Sequence, residues 1–132
     1  MIEGLSHIGV VVKNIETALQ DFCRALAMPM PEIRNVPERQ MRFAVIDVGG
    51  VGIELLEDSS TSGKLARHVQ EKGEGIHHLC FVSDNIEGDM EEMKQRGFEF
   101  VSAKPRLGLR GKKIAFSTDD ALSGFPFELS EP

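Results

Sequence analysis

Leu5-Ser6-His7-Ile8-Gly9-Val10 and Ile76-His77-His78-Leu79-Cys80-Phe81 are the two stretches whose comparison decides the fold. Each is a nearly unbroken apolar run with histidine inside it. Asn14-Ile15-Glu16 follows the first, and the same tripeptide, Asn85-Ile86-Glu87, follows the second 71 positions later. His7 and His78 share that offset. Further along each half, Ile53-Glu54-Leu55 is echoed by Phe127-Glu128-Leu129 at an offset of 74. A chain that carries one unit twice builds a duplicated structure, so the repeat governs every later assignment.

Working outward, residues 5–13 read as a buried strand. Asn14 is the cap of a helix running to about 28, with Ile15, Leu19, Phe22 and Leu26 at helical spacing, and Pro29 and Pro31 stop it. A short strand is expected within 33–37. Stronger strands at 41–48 and 51–57 are joined by Gly49-Gly50, a hairpin turn. A polar connector over 59–75 holds a helix near 62–72. The second half then restarts with a strand at 76–83 and a helix capped by Asp84 or Asn85. That helix reaches about 96, with Ile86, Met90 and Met93 as its apolar stripe and Gly97 closing it. Strands follow near 98–103, 112–117 and 125–130. The expected fold class is α+β, one domain over 1–132 built from two tandem βαβββ modules, about 1–58 and 76–132.

The bulk composition narrows the function. With 41% hydrophobic and 27% charged residues, the 132-residue chain has the balance of a soluble globular protein with a real core. No apolar run approaches the roughly 18 residues that span a membrane. The opening Met1-Ile2-Glu3-Gly4 lacks a secretory pattern, so a cytoplasmic location without membrane association is expected. A net charge of −6 weighs against nucleic acid, whose phosphates need a basic partner. Cys23 and Cys80 have neither metal-ligand nor disulfide spacing and are expected to be reduced packing residues.

Side chains alternate faces along a strand, which sorts the histidines. His78 shares a face with Ile76, Cys80 and Val82; His7 shares one with Leu5, Gly9 and Val11. Gly9 and Cys80 are small and leave room beside each imidazole. His77 falls on the opposite face with Leu79 and Phe81 and reads as a packed or hydrogen-bonded structural residue. Glu54 lies with Gly52 and Leu56, and Glu128 with Pro126 and Ser130. An apolar strand accommodates an ionisable group poorly unless it is paired or coordinated. The same kind of group recurs at the matching place in both halves. His7, Glu54, His78 and Glu128 are therefore the candidate ligands of one divalent metal, cobalt, nickel, manganese, zinc or iron(II), with two octahedral positions left for water or substrate.

His68, among Lys64, Arg67 and Lys72, reads as a solvated helix residue. Lys104-Pro105-Arg106-Leu107-Gly108-Leu109-Arg110-Gly111-Lys112-Lys113 places five basic residues in a glycine-containing loop of an acidic chain. Such a loop suits a carboxylate, phosphate or sulfonate, with Arg106, Arg110, Lys112 and Lys113 as substrate-binding candidates. Arg34, Arg39 and Arg42 are less specific candidates, and Asp119-Asp120 is turn chemistry.

These residues carry a resemblance over nearly the whole chain. The duplicated βαβββ plan with His and Glu at the repeat positions resembles the vicinal oxygen chelate superfamily of glyoxalase I, extradiol dioxygenases and methylmalonyl-CoA epimerase. Gly73-Glu74-Gly75-Ile76-His77-His78 running into Asp84-Asn85-Ile86, then Gly108-x-x-Gly111-Lys112-Lys113-Ile114-Ala115-Phe116 and Ile53-Glu54-Leu55-Leu56-Glu57, look most like the epimerases. The resemblance implies a partly open, metal-containing β-barrel-like cleft and one divalent metal held by His7, Glu54, His78 and Glu128. It also implies Glu128 and Glu54 as catalytic groups, a small acyl-thioester substrate and a homodimer. The implied activity is epimerisation of a 2-methylmalonyl-CoA-type thioester. Glyoxalase I, which uses two His and two Glu, and a non-catalytic resistance protein of the same fold are the alternatives. The chain departs from the epimerase pattern in three places. Ser117-Thr118-Asp119 replaces a His-Pro-Lys turn, the last strand reads Gly124-Phe125-Pro126-Phe127-Glu128, and the strand at 41–48 offers Phe43 where some members carry a second glutamate.

Overall fold

In the computed structural model, which describes residues 1–132, the chain runs β1 (Ile2–Val11), α1 (Ile15–Leu26), β2 (Arg34–Val36), β3 (Met41–Val48), β4 (Val51–Asp58), α2 (Lys64–Lys72), β5 (Gly75–Ser83), α3 (Ile86–Gln95), β6 (Arg106–Leu107), β7 (Lys113–Phe116) and β8 (Phe127–Ser130). The class is α+β. The repeated asparagines do the same work twice. The Asn14 side chain accepts the Thr17 N–H at 2.9 Å, and the Asn85 side chain accepts the Gly88 N–H at 3.1 Å. Each cap satisfies an N–H that the first helical turn leaves without a partner.

The fold divides into two compact units, Ile8–Ile76 and Met1–His7 with His77–Pro132, so β1 contributes its first residues to one and its last to the other. In the first, strand order is β2-β3-β4 and then the end of β1. The β3–β4 hairpin keeps register from Met41 opposite Asp58 to Val48 opposite Val51. Gly49 and Gly50 turn it with φ of +61° and +93°, the positive values that a tight hairpin matching strand twist requires. Ile15, Leu19 and Cys23 form one stripe of α1 and pack with Val10, Val12, Ala44, Ile46 and Leu55. Fully burying one such aliphatic side chain is worth about 1.5–3 kcal/mol. Helix α1 stops at Leu26, two residues short of the expected end. Ala27 turns left-handed at φ +53°, and the Met28 N–H returns to the Cys23 carbonyl. Helix α2 starts later than expected because the Asp58 carboxylate gathers the N–H and hydroxyl of Ser60 and the N–H of Ala66, fixing the preceding turn.

In the second unit the order is β6-β7-β8-β5 and then the start of β1, with β5 and β8 parallel and β7 antiparallel to both its neighbours. Equating β2, β3, β4 and β1 with β6, β7, β8 and β5 gives the same order in both units. Ile86 and Met90 of α3 pack against Ala115, Phe127 and Leu129. The continuous strand expected at 98–103 does not form. Phe100 makes an isolated bridge to Ser117, the chain bends over 101–104, and regular pairing resumes only at Arg106 opposite Ile114. Pro105 has no N–H to donate at the break. The apolar alternation that suggests the strand instead serves packing. The rings of Phe98 and Phe100 meet Phe127 edge-on, with centroids 6.2 and 5.8 Å away.

Candidate metal centre

Three of the four expected ligands meet in the unit formed by Met1–His7 and His77–Pro132. His7 comes from the middle of β1, His78 from β5 beside it, and Glu128 from β8 on the other side of β5, opposite Cys80. The three side chains are only 3%, 1% and 5% exposed. Their donor atoms converge. Nε2 of His7 lies 3.3 Å from Nε2 of His78 and 3.2 Å from Oε2 of Glu128, and the His78 Nε2 lies 3.0 Å from the same oxygen.

This triangle fits a metal ion. Six ligands on an octahedron with bonds of about 2.1 Å are separated along each edge by about 3.0 Å. The observed sides of 3.0 to 3.3 Å are those of one octahedral face. The chemistry of the set agrees, since two imidazoles and a carboxylate suit a borderline divalent cation. The Cys80 sulfur is also close, grouped with the ligand atoms of His7 and Glu128 within 4.8 Å. Strand alternation places Cys80 on the face of His78, where its small size alone predicts no more than packing.

Protons are fixed by the groups behind the triangle. A guanidinium only donates, so the 2.7 Å contact from Arg110 makes Nδ1 of His7 an acceptor and leaves the imidazole proton on Nε2, facing Glu128. Ser6 Oγ is 3.1 Å from the same Nδ1. On the other imidazole, Nδ1 of His78 is 2.9 Å from Nδ1 of His77, and the Phe116 ring packs edge-on at 5.0 Å. Burial pushes the Glu128 carboxyl up, but hydrogen bonds from the Nε2–H groups of His7 and His78 outweigh it and hold the pKa at about 2. Glu128 is therefore ionised throughout the neutral range.

A sequence model of the Glyoxalase/Bleomycin resistance protein/Dioxygenase superfamily matches residues 6–116. The chain belongs to this superfamily. Within the superfamily it is similar to the uncharacterized protein YqjC of Bacillus subtilis, 28% identical over 97% of this chain and 91% of that protein. It is similar to ethylmalonyl-CoA/methylmalonyl-CoA epimerase of Cereibacter sphaeroides, 24% identical over 99% of each chain. Among solved structures, a variant of Streptomyces coelicolor methylmalonyl-CoA epimerase in complex with 2-nitronate-propionyl-CoA superimposes with a TM-score of 0.89. That structure is 20% identical and covers 99% of this chain and 98% of its own. The superfamily fold matches the α+β architecture of the duplicated units.

The remaining expected residues lie as follows. Glu54 is buried in the middle of β4, opposite Val45, in the unit spanning Ile8–Ile76. Of the basic loop, Arg110 turns inward onto His7. Arg106, Lys112 and Lys113 are exposed, and Lys113 Nζ lies 3.8 Å from Glu87 on α3. A tight turn aims Arg110: the Gly111 N–H closes on the Gly108 carbonyl at 3.1 Å, and Gly111 adopts φ +78°. Arg42 joins Glu16 and Glu57 on α1 and β4, and Arg34 stacks over Phe43 at 5.2 Å. No helix is long and apolar enough to cross a membrane.

Proposed function

We propose that this chain is a metal-dependent epimerase of a 2-methylmalonyl-CoA-type thioester, working by removal and return of the α-proton. The observation that carries this reading is the octahedral-face triangle of His7, His78 and Glu128, in a chain aligned end to end with an ethylmalonyl-CoA/methylmalonyl-CoA epimerase. Glu54 is proposed as the fourth ligand because the repeat pairs it with Glu128 and it is buried on its own strand. A divalent ion bound there, cobalt, nickel, manganese, zinc or iron(II), would supply Lewis-acid stabilisation of the negative charge that develops on the thioester oxygen.

The chain's own groups handle the proton. Glu128, ionised at neutral pH, takes the α-proton into its carboxylate and leaves the electron pair conjugated with the thioester carbonyl. Return of a proton from the other face, by Glu54 or a water it orients, inverts the centre, so nothing is consumed and the substrate's atoms balance. Such two-sided delivery suits a duplicated structure, which supplies one glutamate per repeat. Burial of the triangle excludes bulk water, which strengthens each of these electrostatic interactions. Arg110, with Arg106, Lys112 and Lys113, is proposed to hold the substrate's carboxylate or its CoA phosphates. A cytoplasmic homodimer is part of the same proposal.

Solvent-deuterium exchange tests it. Metal-loaded protein is expected to wash deuterium into the α-position of methylmalonyl-CoA and to leave the glutathione hemithioacetal of methylglyoxal unchanged. Glu128→Ala is expected to abolish exchange. Full exchange persisting in Glu128→Ala would remove Glu128 from the mechanism. Turnover of the hemithioacetal in place of the CoA ester would replace the epimerase with glyoxalase I.

A further inference from the structure

We infer that His77 is a positioning residue that fixes His78 in its metal-binding tautomer; this rests on the metal-centre reading above. Alternation alone separates these neighbours, putting His77 on the opposite face of β5. The structure nonetheless joins them. His77 is buried, its Nδ1 lies 2.9 Å from Nδ1 of His78, and the ring planes cross at 87° with centroids 5.2 Å apart. Two imidazole nitrogens at that distance share one proton, so one ring donates and the other accepts.

A cation at the triangle on the far side of His78 decides which. Its Nε2 points into the triangle, 3.3 Å from Nε2 of His7 and 3.0 Å from Oε2 of Glu128. A neutral imidazole that offers Nε2 to a cation carries its proton on Nδ1. That Nδ1–H then needs an acceptor, and His77 Nδ1 is the group in place. His77 in turn carries its own proton on Nε2. Metal-bound imidazoles depend on such a partner for ring orientation and basicity, and losing it costs about 10–100-fold in affinity. The phenyl edge of Phe116, 5.0 Å from the His78 ring, restrains the ring sterically but offers no acceptor for its N–H.

The two imidazoles are thus backed by opposite chemistry. His78 has behind it an imidazole nitrogen that can accept its Nδ1 proton once a metal takes Nε2. His7 has the Arg110 guanidinium, a donor, and must rearrange.

The test is cobalt(II) binding to the full chain, followed by competition titration and by proton NMR of the cobalt form, comparing wild type with His77→Leu and His77→Asn. Asn places an amide oxygen where the His77 Nδ1 stands and can accept the same proton. His77→Leu is expected to bind cobalt at least tenfold more weakly and to lose the slowly exchanging, cobalt-shifted Nδ1–H signal of His78. His77→Asn is expected to recover most of both. If wild type binds and His77→Leu binds equally well, the inference is overturned while the metal centre stands. Equal weakening in His77→Leu and His77→Asn also overturns it, because packing rather than proton acceptance would then be the role of His77. Failure of the wild type to bind cobalt, nickel or zinc overturns the metal centre and this inference together.

Discussion

Arg110 donates to Nδ1 of His7 across 2.7 Å, on the side of the imidazole away from Glu128. This contact and metal ligation make opposite demands on one ring. Ligation through Nε2 places the proton on Nδ1, where a guanidinium with five donors and no acceptor cannot face it. Ser6 Oγ, 3.1 Å from the same nitrogen, can accept that proton. Arg110 therefore competes with the metal, and Arg110→Met is expected to bind cobalt or zinc about tenfold more tightly, since a hydrogen bond from a charged donor is worth about 1.5–3 kcal/mol. Calorimetric titration of both proteins checks this. Unchanged or weaker binding by the variant would show that the contact does not oppose ligation.

How much of this was legible in the sequence depends on what each feature rests on. The repeat and the period-two alternation are properties of the chain itself, so they name His7, His78 and Glu128 as candidates and favour His78 over His77 as the inward-facing imidazole. The order βαβββ followed for the same reason. Arg110 was legible only as one of five cations in a loop, because its direction depends on a four-residue turn closed by Gly111 at φ +78°. The His77–His78 contact was hidden by the alternation rule itself, which treats neighbours on a strand as facing apart. The strand expected near 98–103 failed because alternating Phe98 and Phe100 satisfy packing on Phe127 without a continuous ladder.

Glu128 ties stability to pH, with a definite sign. Its folded pKa, at about 2, lies below the ordinary carboxyl value of 4.5. The stabilisation is therefore present in full above about pH 4.5 and is lost as pH falls toward the folded value. The interval corresponds to about 3 kcal/mol. Urea unfolding of chelator-treated protein between about pH 5 and about pH 2 is expected to show this loss, and Glu128→Gln to show a shallower slope. Parallel slopes would mean that the two imidazoles do not stabilise the charged carboxylate.

The repeated caps give a paired measurement. Asn14→Ala removes the acceptor of the Thr17 N–H, and Asn85→Ala removes that of the Gly88 N–H. Each is expected to cost about 1 kcal/mol in urea unfolding. Asn85→Asp is expected to keep its cap bond, because an aspartate oxygen takes the same place and a negative charge is favoured at a helix N-terminus. A cost near zero for either alanine variant would show that water replaces that cap without loss.

Glu57 makes the remaining strong prediction, because one buried carboxylate serves a helix start and an ion pair together. It accepts the Ile15 N–H at 2.8 Å and the Arg42 guanidinium at 2.9 Å, while Arg42 also grips Glu16 at 2.7 and 2.9 Å. Ile15 is the first residue of α1 and is fully buried, so its N–H has no water to turn to once the carboxylate is gone. Glu57→Ala is expected to cost about 2–3 kcal/mol, the range for leaving a buried donor unsatisfied. Glu57→Gln keeps an oxygen for Ile15 and is expected to cost about half as much. Arg42→Lys retains charge but loses the planar fork that reaches both carboxylates, so it is expected to behave like a loss rather than a conservative change. Hydrogen exchange at Ile15 separates the two functions. Glu57→Ala should speed exchange there, whereas Arg42→Lys should destabilise the unit without selectively exposing that amide. Selective exposure in Arg42→Lys as well would mean that the guanidinium, and not the strand, holds Glu57 against the helix.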